Sequence, residues 1–140
     1  MTKVIKLLLV EDDNLDVIDL QRTLDRMGIL HLMKVARNGE EGIESLGQRY
    51  NGVFEGLPDL VLLDLNMPRM NGVEFLQIIR QRPTWSDLKV FVLTTSDEFE
   101  DQSAVRELGI AGYIEKPFKV SNPKSMDAFN LMIDLMNMQN

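Results

Sequence analysis

The chain has 140 residues, 44% of them apolar and 26% charged, with no cysteine, one histidine and a net charge of −7. That length suits one domain with a real core. The composition excludes a disulfide framework, a thiolate or multi-histidine metal site and a Ser-His-Asp triad, and the acidic balance argues against a nucleic-acid surface.

The opening MTKVIKLLLVEDD has a short apolar core that stops at three acids, with no small-residue cleavage site. It reads as a first strand over 4–10 rather than a signal peptide. Residues 14–27 carry Val17, Leu20, Leu24 and Met27 at helical spacing, with Ile18 widening the stripe and Gly28 as a stop. A second strand spans 31–36. It holds His31, read as an edge-strand residue rather than a catalyst. Asn38 is placed to cap a helix over 39–49, and GQRYNGVFEGLP (47–58) forms a long connection. A third strand covers 59–63, and a helix from Gly72 to Arg80 presents Val73, Phe75, Leu76 and Ile79. An all-apolar fourth strand spans 88–93, a shorter helix 98–108, and a fifth strand 111–115. Asn122 or Ser121, before Pro123, starts a last helix to about residue 138. No apolar run approaches the length of a membrane span.

Strands and helices thus alternate five times. Strands one, three and four lack polar alternation, which suits a parallel sheet covered on both faces. Right-handed crossovers make this an α/β, doubly wound open sheet, whose working residues lie beyond the carboxyl ends of the strands. Those ends carry Glu11, Asp12 and Asp13; Asp64; Thr94, Thr95 and Ser96; and Glu115, Lys116 and Pro117. Each alone is an ordinary turn residue. Together they supply carboxylates for a divalent cation, one more as a nucleophile, and a hydroxyl and an ammonium for an anion. Oxygen ligands with open positions suit Mg²⁺, which takes a phosphate oxygen as partner. Asp13 reads as the start of the first helix, and Thr95 as a pocket wall.

VEDD, LVLLDLNMPRMNG, VLTTS and YIEKPF, in this order, resemble the receiver domain of two-component response regulators. The resemblance covers nearly the whole chain and implies a flavodoxin-like (βα)5 fold with sheet order 2-1-3-4-5. It implies Asp64 as phosphoacceptor, Asp12 as a direct Mg²⁺ ligand, Glu11 as one acting through water, and the Asn66 main-chain carbonyl as a further ligand. It also implies Thr94 as switch hydroxyl, Tyr113 as switch aromatic, Lys116 as the phosphate-contacting lysine, and a cis bond before Pro117. Asn66 and Ser96 flank the route of attacking water in the family's geometry.

The expected protein is a single receiver domain over 1–140 with no output domain, a cytoplasmic phosphoryl acceptor rather than a turnover enzyme. The resemblance implies a sensor histidine kinase as its phosphoryl donor; the chain has no nucleotide-binding glycine loop of its own. The pattern E-D-D-x-x-D-V, the long connection before LPD and LDLNMP resemble stand-alone receivers paired with bacterial phytochromes. The last helix has a narrow polar stripe of Asp127, Asn130, Asp134 and Asn137, leaving surplus apolar surface. A homodimer through the helix 4–strand 5–helix 5 face and that helix is therefore expected, with no nucleic-acid or membrane partner. Two other readings stay open. One is a receiver-like interaction module that takes no phosphate. The other is a Mg²⁺-dependent phosphohydrolase, whose DxD acid/base would fall at position 66, where this chain has Asn66.

Overall fold

A computed structural model describes residues 3–65, 67, 69–95 and 103–137. Apolar runs and helical stripes become β1 (Ile5–Val10), α1 (Asn14–Arg26), β2 (His31–Ala36), α2 (Gly39–Gly47), β3 (Leu60–Asp64), α3 (Gly72–Gln81), β4 (Val90–Thr94), α4 (Ser103–Glu107), β5 (Gly112–Glu115) and α5 (Pro123–Asn137). The strands form one sheet in the order β2-β1-β3-β4-β5, with every pairing parallel. This is the flavodoxin-like receiver architecture.

Period-2 alternation divides each central strand between two cores. Leu7, Leu9, Leu62 and Phe91 face α1 and α5, where they meet Leu20, Leu24, Phe129 and Met132. Leu8, Val10, Leu63 and Val92 face the other way, onto Phe75, Leu76, Ile79 and Val105. Because both faces are covered, the only routes to solvent for a residue on β3 or β4 are the strand ends.

The boundaries differ from the sequence reading where backbone partners intervene. β4 begins at Val90, not at 88, because the Leu88 carbonyl accepts from Arg80 Nη1 at 2.8 Å. β3 runs through Asp64 and β4 through Thr94, so both are the last residues of strands rather than the first of loops. α2 stops at Gly47, with Gln48 in extended conformation. For the helix read over 98–108, the described part is Ser103–Glu107, and residues 98–102 lie outside the described residues.

The long connection is itself built. Tyr50 and Glu55 form an antiparallel bridge, and the buried Asn51 accepts from the Val53 and Phe54 amides. Lys6 Nζ sits 6.0 Å over the Phe54 ring and donates to the Glu55 carbonyl, pinning the loop to β1. On α5, Ala128, Phe129, Met132 and Met136 are buried, and Leu135 packs against the same core. Met126 and Ile133 are half-buried, and among the described residues of α5 the exposed large hydrophobic is Leu131, at 44%; Met138 lies outside the described residues. Among the described residues no helix is long and apolar enough to cross a membrane.

Candidate functional site

The carboxyl edge of the sheet gathers the acids. β1 delivers Glu11, whose amide donates to the Ala36 carbonyl at 2.9 Å, extending the β1–β2 ladder by one bond. Its side chain is 1% exposed, and Oε1 accepts from the Asp13 amide at 3.2 Å. Asp12 is exposed at the rim of the site. Asp13 caps α1, accepting from the Leu15 amide at 2.8 Å. Asp64 ends β3 and is buried, paired in register with Leu93.

The loop after β3 is held tightly around Asp64. A Cβ on Gly72 would lie 2.6 Å from the Asp64 carbonyl oxygen and 2.6 Å from Leu65 Cα, so only glycine lets α3 start this close. Arg69 occupies the left-handed region at φ 60. Asn71 and Glu74 form a reciprocal capping box that fixes the first turn of α3.

β4 and β5 supply the hydroxyl and the ammonium. Thr94 is fully buried, and its Oγ1 donates to the Thr95 carbonyl at 2.7 Å. The Lys116 amide donates to the Thr94 carbonyl at 2.7 Å, which fixes the lysine's origin beside the threonine. The Lys116–Pro117 peptide is cis. Beyond it, the Pro117 carbonyl accepts from Ser125 Oγ at 3.1 Å and Asn122 Nδ2 at 3.0 Å, and the Phe118 carbonyl from Thr23 Oγ1 at 2.9 Å. The loop that bears Lys116 is thus bonded to both α1 and α5.

Lys116 Nζ reaches three carboxylates: Asp16 at 2.8 Å, Glu11 at 3.0 Å and Asp64 at 3.9 Å. One carboxylate oxygen each from Glu11, Asp12 and Asp64 lie within 4.8 Å of one another. Lys116 thus pairs with three carboxylates, and Asp12 adds a fourth acid to the cluster. Burial, then hydrogen bonding and repulsion from Asp64, push the Glu11 carboxyl up to about 8, although Lys116 pulls it down. Burial pushes the Lys116 ammonium down, but its bonds to Asp16 and Glu11 and the charge of Asp64 more than reverse this, so it is raised overall. Both partners of the Glu11–Lys116 pair move up: Glu11 chiefly because it is buried and lies beside Asp64, Lys116 because its carboxylate partners outweigh its burial. A cluster of partly buried oxygens with this excess negative charge fits a divalent cation, which Glu11, Asp12 and Asp64 could hold.

Glu11, Asp12, Asp64, Thr94 and Lys116 stand at this one edge. Tyr113, half-buried, is two residues before the end of β5 and pairs in register with Val92. Asn66 and Ser96 lie outside the described residues. Sequence reasoning missed Asp16, which it used only inside a longer motif. It also missed Thr23 and Ser125, whose hydroxyls bind the loop after Lys116.

Comparisons with known proteins agree with this geometry. Residues 7–126 match the response regulator receiver domain. The response regulator Rcp1 of Synechocystis sp. is 36% identical over 110 residues, covering 79% of this chain and 75% of that protein. The Mn²⁺-bound form of Rcp1 superposes with a TM-score of 0.72 at 31% identity, covering 97% of this chain and 96% of that one. The phosphorylated cyanobacterial phytochrome response regulator RcpA gives 0.73 at 30% identity, covering 98% and 96%. The chain also spans only 45% of the length of other curated relatives it matches. By the matched span, the shared sheet order and the acids at its carboxyl edge, the chain belongs to the response regulator receiver domain family.

Proposed function

We propose that the protein accepts a phosphoryl group on Asp64 from a sensor histidine kinase and signals by a change in its protein contacts. The observation that carries this reading is the placement of the Lys116 ammonium 3.9 Å from the Asp64 carboxylate, inside a cluster of acids too negative for one lysine to neutralise. An Asp64 oxygen attacks phosphorus, and the bond to the donor's nitrogen or oxygen breaks with its electron pair leaving on the donor. Asp12, Asp64, the Asn66 carbonyl and, through water, Glu11 would hold Mg²⁺, which would supply charge neutralisation for the transferred group. Lys116 serves as a point charge on a phosphoryl oxygen. Thr94 leaves the Thr95 carbonyl and donates to another, and the Tyr113 ring follows into the space vacated. The face of α4, β5 and α5 then changes shape, a two-state element biased by the new anion.

The receiver span, residues 7–126, carries this role in the cytoplasm, without nucleic acid or membrane. It catalyses only its own phosphorylation and dephosphorylation. The likeness to Rcp1 and RcpA supports a phytochrome as the kinase. Leu131 on α5 supports a homodimer through the α4–β5–α5 face, and mass measurement in dilute solution with and without phosphoryl donor checks it.

Incubation with acetyl phosphate and Mg²⁺ adds the mass of one phosphoryl group, and Asp64→Asn adds none. An Asp64→Asn protein that gains the mass at the normal rate contradicts the acceptor assignment. A wild type that gains no mass from any phosphoryl donor favours the interaction module instead.

A further inference from the structure

The nearest partner of Lys116 is Asp16, not the proposed acceptor. Nζ donates to Asp16 Oδ2 at 2.8 Å, whereas the 3.9 Å to Asp64 is an ion-pair distance beyond hydrogen-bond range. Asp16 stands in the first turn of α1, one hundred residues away in sequence, on a helix start fixed by the Asp13 cap. The ammonium has three N–H donors; one bonds Asp16, and Glu11 Oε2 lies 3.0 Å away as an ion pair. A group carried by Asp64 competes with Asp16 for this ammonium, because the Asp16 bond holds Nζ 3.9 Å from the Asp64 carboxylate.

The two carboxylates that hold it are not equivalent. The Glu11 side chain is 1% exposed, so losing its cation would strand a buried acid. The Asp16 side chain is 22% exposed, so water can take the ammonium's place there. We propose that Asp16 is a positioning residue that latches Lys116 away from Asp64 in the unmodified protein and must release it when phosphoryl oxygens arrive. The latch thereby sets how tightly the site holds the phosphoryl group. The proposal rests on the reading of Asp64 as acceptor. It adds that α1, through one side chain, opposes the phosphorylated state.

An interaction made only in the unmodified state has a signature. Removing it destabilises the free protein and tightens binding of whatever selects the other state. The probe is beryllofluoride with Mg²⁺, a mimic of the aspartyl phosphate, titrated by ¹⁹F NMR. Asp16→Asn, of equal size without the charge, lowers the melting temperature of the free protein and raises beryllofluoride affinity by about two- to fivefold, the scale of a partly exposed ion pair. Asp16→Glu keeps the charge and returns both quantities toward wild type. A lower melting temperature with unchanged or weaker affinity in Asp16→Asn makes Asp16 merely structural and overturns the latch. A wild type that shows no bound signal, or the same signal as Asp64→Asn, overturns the acceptor reading and the latch with it. A wild type that binds, alongside an Asp16→Asn protein that binds equally, overturns the latch alone.

Discussion

Two partly buried cations stand at opposite edges of the sheet, and their partners differ in kind. Arg80, in the last turn of α3, donates to four backbone carbonyls: Leu108 at 2.7 Å, Ser86 at 3.0 Å, Leu88 at 2.8 Å and Gly109 at 3.0 Å. It thereby ties α3 to the segments that lead into β4 and β5. Burial lowers its pKa, and Asp87 offsets this only in part. Lys116, at the carboxyl edge, forms ion pairs with three carboxylates, and its pKa is raised. A rigid planar fork bonded to neutral, fixed acceptors is framework. A compact ammonium shared by an excess of anions is a site whose charge balance changes when another ion enters. The same fold thus carries one immobile cation and one poised to exchange partners.

Breaking the frame gives the largest expected effect. Arg80→Ala leaves four carbonyls without their donor and lowers unfolding free energy by about 3–4 kcal/mol. Denaturant titration checks this, while phosphoryl uptake per folded molecule stays within about twofold of wild type. If uptake collapses instead, the two edges are coupled and the contrast fails.

The pH response sharpens the other side. Glu11 has a folded pKa of about 8 against an ordinary 4.5, so its stabilising contribution is full below about 4.5 and is lost as pH rises through 8. Metal-free protein therefore loses roughly 3 kcal/mol at most between pH 5 and 8, and added Mg²⁺ restores part of it. Lys116 does not add to this loss: its raised pKa keeps its contribution intact to beyond pH 10. A flat stability profile over that window in chelator contradicts the charge excess assigned to the cluster.

Lys116→Ala removes the site's cation and slows phosphoryl uptake from acetyl phosphate about a hundredfold, equivalent to about 2.7 kcal/mol. Time courses of intact mass measure it. The smallest effect is expected at the cap of α1. Asp13→Ala costs about 1 kcal/mol of stability through the lost bond to the Leu15 amide, and uptake by Asp64 stays within about twofold.

The fold was legible because its signals are local. Apolar runs such as LVLLD and the 3.6-residue stripe of Val17, Leu20 and Leu24 need no tertiary knowledge. The candidate site was legible almost to the same degree, since strand ends in a doubly wound sheet share one edge by topology. What escaped were partnerships between distant segments. Asp16 reads as an acid that complements a helix dipole, and Arg80 as a base that does the same at the other end of a helix. Only the docking of the loop after β5 onto α1 shows that Asp16 meets a lysine, and only the loops before β4 and β5 show that Arg80 meets four carbonyls. The early end assigned to β3 and the early start assigned to β4 have the same origin. Pairing and side-chain bonds to the backbone set those limits, and apolar content does not record them.

The account turns on one atom, an Asp64 carboxylate oxygen, becoming bonded to phosphorus. An aspartyl phosphate is an acyl phosphate, and borohydride reduces it to homoserine, which survives digestion. The most direct test is to treat the protein with acetyl phosphate and Mg²⁺, reduce it, and map the product by peptide mass spectrometry. Homoserine at position 64, absent when donor or Mg²⁺ is withheld, is the predicted result. Homoserine at Asp12 or Asp16, or an unmodified peptide 60–69 from a sample whose intact mass has increased, would contradict it.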